Sequence, residues 1–376
     1  MRIPAPIILD LTAAALPEQI AALPPAGVYA LHAAERPPYL SWSSSLRRRL
    51  ARLLVSSHVG ADSAITRLRR NLTSVDCWAT GSRLETLLLL YELSKLHFPD
   101  EYLNRLRLRM PWFIGLTHND AFPRLRVMNR IPRQDVPMFG PFARRDLAQA
   151  YEQEMLSLLQ IRRCTDVLAP HADHPGCIYG EMNQCLRPCQ CAVTAEEYGT
   201  ESDRVADFLS TNGKSTVTAL SAARDRACED TDFEQAAQLH KRLERVNAAA
   251  SARPEVVTEI HHFDGVALTR ASEERQFRLW PMVQGLWQEC VTLDFSAEES
   301  RPKSLDHELR ERLSQSLSAP RTTGPRVEEL AIFSRWYFST WRDGEWFPFR
   351  TLADLNYRRL VRQISSMLKA DTARTA

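Results

Sequence analysis

Residues 25–50 read PAGVYALHAAERPPYLSWSSSLRRRL, and their pattern predicts two short strands followed by a helix. The strands are expected at residues 28–32 and 39–42, where apolar and aromatic residues lie on either side of a proline-containing turn. Serines directly before residue 46 can cap the helix that follows. The apolar stripe of that helix consists of Leu46, Leu50, Leu53 and Leu54. These elements predict a small mixed α/β domain.

The rest of the chain alternates between helical and extended patterns, so the predicted fold class is α+β. Helices are expected over residues 82–96, 143–160, 194–208, 216–247, 305–317, 327–341 and 352–368. Strand-like alternation is found at residues 256–270 and 277–295. The predicted segments are a mixed domain at 20–110, a connecting region at 111–160, a cysteine-rich region at 161–193, a helical hairpin at 194–250 and a C-terminal α+β domain at 255–376.

Length and composition are those of an ordinary globular protein. The chain has 376 residues, of which 44% are hydrophobic and 25% are charged. No run reaches the roughly 20 apolar residues of a membrane span, and residues 1–6 do not resemble a secretory signal. Membrane and exported classes are therefore excluded, and a cytoplasmic location is expected.

Positive charge is concentrated near the start of the chain. Residues 1–150 contain 20 basic and 12 acidic side chains, whereas the remainder contains 28 and 34. Arginine supplies 43 of the 48 basic residues, and its planar fork suits bidentate contact with phosphate. A GC-rich genome accounts for the excess of arginine over lysine but not for the uneven distribution. The basic first part is compatible with a nucleic-acid partner.

Five of the eight cysteines are clustered within 28 positions. They are Cys164, Cys177, Cys185, Cys189 and Cys191. A disulfide framework is unusual in a cytosolic chain of this size, so the cluster indicates a metal or iron–sulfur site. Four thiolates suit either zinc or a [4Fe–4S] cluster, and the spacing does not choose between them. His171 and His174 are alternative ligands.

Four motifs together resemble the bacterial UvrC excinuclease family. Gly27-Val28-Tyr29, Tyr39 and the arginines at 47–49 resemble the GIY-YIG nuclease fold that opens these proteins. FGPF at residues 139–142 resembles the signature that follows the nuclease. Arg162-Arg163-Cys164 then opens a Cys-x12-Cys-x7-Cys-x3-Cys pattern similar to the family's cysteine region. Finally, DFEQAAQL at residues 232–239 resembles the UVR hairpin. The motifs occur in family order over residues 23–246.

For the nuclease domain, the resemblance implies metal-assisted cleavage of a phosphodiester bond. Tyr29 and Tyr39 match the two motif tyrosines, and Arg49 matches the arginine that offsets charge on the phosphate. The position of the metal-holding glutamate is Leu90, and leucine offers no oxygen ligand to Mg²⁺. The site is therefore expected to be degenerate, with Mg²⁺ a cofactor only if it is active.

Two glutamates are candidate replacements for the missing ligand, Glu85 and Glu92. Glu92 points about 200° around the helix from position 90, so it is implausible that Glu92 simply takes the place of the missing ligand.

For the cysteine region, the resemblance implies a [4Fe–4S] cluster, with zinc as the alternative. Its ligands would be Cys164, Cys177, Cys185 and Cys189, while Cys191 is an additional thiol. The expected role is structural, because the site would tie together a loop that has little core of its own.

The resemblance also implies two partners, DNA and a UvrB-like helicase. The UVR-like surface that would contact UvrB is predicted to comprise Phe233, Ala236, Ala237, Leu239 and Leu243. The alternative is that this stripe packs within the chain. The predicted DNA-binding residues are Arg47, Arg48, Arg52, Arg105, Arg107 and Arg109. Their alternative role is a solvated basic surface.

The leading functional hypothesis is a UvrC-like component of nucleotide excision repair that binds DNA and a UvrB-like partner and has an impaired incision site. One alternative is an active stand-alone GIY-YIG endonuclease, and another is a non-catalytic adaptor that binds only the partner. The family's RNase H-like nuclease and helix-hairpin-helix repeats are not recognised in residues 255–376. The aromatic residues at 336–349 are expected in a core, with stacking on DNA as the alternative.

Overall fold

A computed structural model describes residues 2–12, 15–34, 36–55, 71–117, 120–132, 136–296, 304–318, 320 and 326–375. These residues form an α+β structure, as the sequence predicts, and its strands make three antiparallel sheets. The chain divides into two compact units. Unit 1 comprises Met1–Arg109 and Phe263–Ala376, and unit 2 comprises Met110–His262.

The strands, in chain order, are β1 (Ile7–Leu9), β2 (Gly27–Ala33), β3 (Arg36–Ser43), β4 (Leu72–Ala79), β5 (Trp112–Leu116), β6 (Leu125–Met128), β7 (Met138–Phe142), β8 (Thr258–Glu259), β9 (Gly265–Arg270), β10 (Gln276–Val283), β11 (Leu286–Trp287), β12 (Val291–Asp294) and β13 (Gly344–Pro348).

The helices are α1 (Leu16–Ala22), α2 (Leu46–Leu54), α3 (Arg83–His97), α4 (Tyr102–Leu106), α5 (Arg145–Leu158), α6 (Ile178–Glu181), α7 (Ala195–Thr211), α8 (Lys214–Glu229), α9 (Phe233–Ser251), α10 (Leu305–Ser316), α11 (Val327–Tyr337) and α12 (Tyr357–Thr375). Within the described ranges, no helix combines the length and apolarity that crossing a membrane requires.

The first sheet of unit 1 has the strand order β1-β4-β2-β3, which includes both strands predicted from residues 25–50. Successive side chains of β2 point to opposite faces of the sheet. Tyr29 and Leu31 pack with the leucine stripe of α2, as predicted for that helix. Val28 and Ala30 pack with Leu89 of α3 on the other face. The sheet therefore separates α2 from α3.

The second sheet of unit 1 has the order β11-β10-β9-β13, with β12 also paired to β10. Helices α10 and α12 supply apolar side chains to the cluster that covers one face of this sheet. In the aromatic-rich segment, Trp336, Trp346 and Phe347 are buried, as expected for a core. Tyr337, Phe338 and Phe349 are half-buried, and Trp341 is 40% exposed.

Unit 2 is built on a four-stranded sheet with the order β6-β5-β7-β8. Its single large core joins the sheet to α5, α7 and the α8–α9 pair. Helix α7 begins with a capping box, in which the Thr194 hydroxyl accepts from Glu197 N and the Glu197 carboxylate accepts from Thr194 N. The helix predicted over residues 194–208 is thus confirmed.

The sequence prediction of one continuous helix over residues 216–247 is wrong. Helix α8 ends at Glu229, and α9 begins at Phe233. Thr231 adopts a left-handed backbone conformation with φ 57°, and the Asp232 carboxylate accepts from Gln235 N at 3.0 Å. The left-handed Thr231 closes the end of α8, and Asp232 caps the start of α9. The helical hairpin therefore consists of α8 and α9.

Candidate functional site

The structure brings together the two tyrosines and the arginine that the sequence singled out. Arg49 Nε of α2 donates a hydrogen bond to Tyr29 Oη at 3.3 Å. Tyr29 pairs with Ser41 and Leu31 pairs with Tyr39 across β2 and β3, so the two tyrosines share a face of the sheet. Tyr29 is fully buried, whereas 51% of Tyr39 is exposed.

Arg49 is held as a cation at this place. The hydrogen bond to Tyr29, followed by electrostatic interaction with Tyr29 and Tyr39, raises the pKa of Arg49 above its ordinary value. A fixed guanidinium beside two phenol groups can bind an anionic oxygen such as that of a phosphate. A guanidinium therefore lies beside the two predicted tyrosines.

The position predicted for the metal-holding glutamate is filled by an apolar side chain with apolar neighbours. Leu90 lies on α3 and packs against the cluster that contains Val28, Ala30 and Trp78. That cluster is on the opposite face of the sheet from Tyr29. Leu90 therefore provides neither an oxygen ligand nor an open cavity beside the tyrosines.

Glu85, one of the two candidate replacement ligands, is already engaged at both carboxylate oxygens. Its side chain lies in the first turn of α3, and the residue is only 4% exposed. Oε2 accepts a hydrogen bond from Gly81 N at 2.8 Å, and Oε1 lies 3.0 Å from Arg278 Nε of β10 in an ion pair. Burial raises the pKa of Glu85, while Arg278 and the Gly81 N–H act to lower it.

Residues that flank the strands of the second sheet lie close to the start of α3, next to the buried Glu85. A Cβ added to Gly81 would lie 1.9 Å from the carbonyl carbon of Ala271, so only glycine permits this approach. Arg83 N donates to the Asp343 carboxylate at 2.5 Å. Tyr102 Oη donates to Glu328 Oε1 at 3.2 Å. Residues 263–376 thus form part of the surroundings of α3.

The predicted DNA-binding arginines lie in two surface segments of unit 1. Arg48 and Arg52 are exposed on α2, and Arg47 Nε donates to the carbonyl oxygen of Leu23. Arg105 of α4 forms an ion pair with Glu101 at 2.9 Å, and this pair partly neutralises its charge. The exposed Arg107 and Arg109 follow α4.

The predicted cysteine ligands differ in exposure. Cys185 and Cys189 are buried, Cys164 is half-buried and Cys177 is exposed. Arg162 Nη1 donates to Cys164 Sγ at 3.7 Å, and Arg187 N donates to Cys185 Sγ at 3.4 Å. Hydrogen bonds of this kind stabilise thiolates and are typical of the surroundings of sulfur ligands.

The four thiols belong to one electrostatic neighbourhood. Burial raises the pKa of Cys185, and the Arg187 N–H acts to lower it; Cys164, Cys177 and Cys189 raise it further. Burial also raises the pKa of Cys189, with contributions from Cys177 and Cys164. Across the described part of the chain, however, no group of three or more His, Cys, Asp or Glu side chains is arranged to hold a metal ion.

A buried arginine holds the loop that carries these cysteines. Arg162 is 3% exposed, and its side chain donates to the carbonyl oxygens of Phe122 at 2.7 Å and Asp166 at 2.9 Å. It also pairs with Asp120, and its backbone N donates to Tyr198 Oη at 2.8 Å. The guanidinium therefore ties the start of the loop to the segment before β6, and the backbone N–H of Arg162 ties it to α7.

The alternative histidine ligands lie in the same loop. The rings of His171 and His174 are 5.5 Å apart, and His174 Nδ1 accepts a hydrogen bond from Gly176 N at 3.0 Å. His171 N donates to the carbonyl oxygen of Cys189 at 3.1 Å. Both histidines thus help to shape the loop.

The surface predicted to contact a UvrB-like partner divides into two parts. Phe233, at the start of α9, is 70% exposed, and Ala237 one turn later is also exposed. Ala236 and Leu243 are buried, and Leu239 is half-buried against the unit 2 core. Ala236 and Leu243 therefore pack within the chain, which is the alternative that the sequence left open. Solvent reaches mainly Phe233 and Ala237.

Known proteins match a segment of unit 2 and longer stretches of the chain. Residues 111–208 match the family model described as the UvrC/Cho excinuclease middle domain. The UvrABC system protein C of Nitratidesulfovibrio vulgaris is 30% identical over 207 residues, which cover 54% of this chain and 30% of the relative. The chain is related to UvrC.

Other relatives extend the match. The UvrABC system protein C of Moorella thermoacetica is 25% identical over 260 residues, or 69% of this chain and 42% of the relative. That of Anaeromyxobacter sp. is 28% identical over 264 residues, or 69% of this chain and 37% of the relative. The matched stretches thus span between 30% and 42% of the length of these UvrC proteins. No solved structure matches it.

Sequence reasoning did not identify Arg278 as a residue of the site. Its partner Glu85 was recognised, but Arg278 follows almost two hundred positions later in a strand with an ordinary alternating pattern. The sequence does contain one signal, which is a carboxylate in the leucine-rich α3. A carboxylate buried there needs a cation or N–H donors, so its presence indicates a partner without identifying it.

Proposed function

We propose that the chain is a UvrC-like component of nucleotide excision repair that acts in the cytoplasm, binds DNA and a UvrB-like partner, and lacks an efficient incision site of its own. The proposal rests on the two positions that could supply a carboxylate ligand to the metal, because neither has a carboxylate free to bind it. Leu90 is apolar, and Glu85 is committed to Arg278 and Gly81. Phosphodiester cleavage of the GIY-YIG type depends on a divalent ion to stabilise charge in the transition state.

Without that ion, the remaining residues still suit DNA binding. Arg49 beside Tyr29 and Tyr39 would bind a backbone phosphate, and the exposed arginines of α2 would extend the contact. Such contacts position DNA without reading its sequence. The proposed role is therefore to place DNA on the protein rather than to cut it.

We further propose that Cys164, Cys177, Cys185 and Cys189 hold a [4Fe–4S] cluster, with zinc as the alternative. The mutual electrostatic influence of the thiols and the N–H donors on two of the sulfurs support this ligand set. The proposal requires the loop to tighten when the group binds. A bound cluster would supply a structural cross-link between the loop and the core.

The UvrB-like partner is proposed to bind at the start of α9. Phe233 is a large apolar side chain in solvent, and the adjacent Ala237 leaves room for a partner helix to approach.

One observation favours the alternative of an active endonuclease, namely that Tyr29, Tyr39 and Arg49 converge. The two functions are separated by incubating the full chain with duplex DNA and Mg²⁺ or Mn²⁺, with and without the partner. Our proposal predicts salt-dependent binding and cleavage no faster than that of Tyr29→Phe. Robust cleavage by the parent that Tyr29→Phe abolishes would reject it.

The second alternative, an adaptor that binds only the UvrB-like partner, is tested in the same experiment. It predicts that the parent chain binds the partner but not DNA at low salt, which would refute the DNA-binding part of the proposal.

A further inference from the structure

A cleft of about 370 Å³ in unit 2 is lined by an unusual number of cations. It lies between the C-terminal turn of α5, helix α7 and helix α9. Five charged residues line it, and four of them are basic. They are Glu201, Arg204, Lys241, Arg242 and Arg245. The other lining residues are uncharged, so the cleft has a formal charge of +3.

The basic residues of α9 converge because of their helical spacing. At 100° per residue, Lys241, Arg242 and Arg245 fall within an arc of about 100°. Another side of α9 is committed to the core through Leu243 and Val246. The helix therefore has one face for packing and another for the cleft.

The single acidic residue does not neutralise this cleft. Glu201 is 7% exposed, and its Oε1 accepts from Gln160 N at 2.7 Å, while its Oε2 pairs with Arg204 Nη1 at 3.1 Å. Arg245 Nη2 donates to the carbonyl oxygen of Ser157 at 2.6 Å. Lys241 and Arg242 are exposed, and neither has a hydrogen-bond or ion-pair partner among the residues that the structure describes.

We propose that this cleft binds the phosphodiester backbone of duplex DNA, with Lys241 and Arg242 each contacting a phosphate. The inference rests on the proposed function in assuming DNA as the polyanion. A small anion needs a few buried, preorganised donors, whereas Arg204 is 66% exposed. Exposed cations suit a polyanion, because each contact releases counterions and many weak contacts add together. The hairpin would thus provide a DNA contact of its own.

The test measures DNA affinity by fluorescence anisotropy with the full chain and a labelled duplex over a series of salt concentrations. Lys241→Gln/Arg242→Gln removes two charges from the cleft. Lys214→Gln/Arg226→Gln is the matched control, because it removes two exposed charges from α8 of the same hairpin. We expect the cleft variant to bind about tenfold more weakly at low salt and its slope of log K against log salt to become shallower by about 1.8. The control should change affinity less than about twofold, and Lys241→Arg should retain binding.

Each outcome decides a different claim. If the parent binds DNA but the two double variants behave alike, the cleft inference fails and the proposed DNA binding stands. If the parent does not bind DNA at low salt, the proposed function itself fails. If the cleft variant retains DNA affinity but loses a UvrB-type partner, the cleft is a protein-binding surface, which overturns the inference. Circular dichroism verifies folding of the variants.

Discussion

The ion pair between Glu85 and Arg278 joins helix α3 to strand β10 of the second sheet of unit 1, and its removal has a calculable cost. The side chains are 6% and 27% exposed, and Oε1 lies 3.0 Å from Nε. Arg278→Ala would leave a buried carboxylate with the Gly81 N–H as its remaining donor. Breaking a buried pair by removing one partner costs about 3–5 kcal/mol. Because Arg278 retains some contact with solvent, we expect a loss of about 3 kcal/mol in the free energy of unfolding at neutral pH.

The loss should depend on pH in a defined direction. Burial raises the pKa of Glu85 above its ordinary value, and Arg278 acts against this rise. Without Arg278 the folded-state pKa rises further, so folding favours the protonated carboxyl. The destabilisation relative to the parent should therefore be greatest above the pKa of Glu85 in the variant, and it should diminish as pH falls from there to the lower folded-state pKa of the parent.

Urea unfolding followed by tryptophan fluorescence measures this effect. Seven of the eight tryptophans lie in unit 1, and Trp112 is the exception, so the signal reports mainly on that unit. Arg335→Ala on the exposed side of α11 is the control and should change the free energy of unfolding by less than about 0.5 kcal/mol. Equal unfolding midpoints for Arg278→Ala and Arg335→Ala at neutral pH would refute the reasoning.

Two further predictions concern the cysteine loop and the hairpin. Protein purified without oxygen should absorb at about 400 nm, as thiolate-ligated iron does. Cys185→Ser should abolish this band, and Cys191→Ser should retain it. A colourless protein that contains zinc would instead establish the alternative metal. Phe233→Ser should weaken binding of a UvrB-type partner about tenfold with little change in stability, because the side chain is 70% exposed. Leu243→Ala is its counterpart and should cost about 2–4 kcal/mol of stability, because this side chain is buried; unchanged partner affinity in Phe233→Ser would exclude that surface.

Local patterns predicted the elements that depend on neighbouring residues. The alternation and turn of residues 25–50 predicted β2, β3 and α2, and the structure confirms them. The side chain of Ser82 accepts a hydrogen bond from Glu85 N at the start of α3, which explains why the helix predicted from residue 82 begins there. These features arise from capping and periodicity within a few positions, which a single sequence displays.

Features set by distant residues were not predictable in the same way. The approach of Ala271 to Gly81 and the pairing of Arg278 with Glu85 join segments almost two hundred residues apart. Neither segment contains a sequence pattern that identifies the distant segment with which it makes contact. The break at Thr231 was missed although Asp232, a favourable N-cap residue, could have indicated it.

The most direct test of the account is the location of manganese in a crystal of the full chain soaked with Mn²⁺, determined by anomalous diffraction. We expect no ion beside Tyr29, Tyr39 and Arg49, because Leu90 offers no oxygen and Glu85 remains bound to Arg278. An ion seated between the two tyrosine hydroxyls and a carboxylate would contradict it.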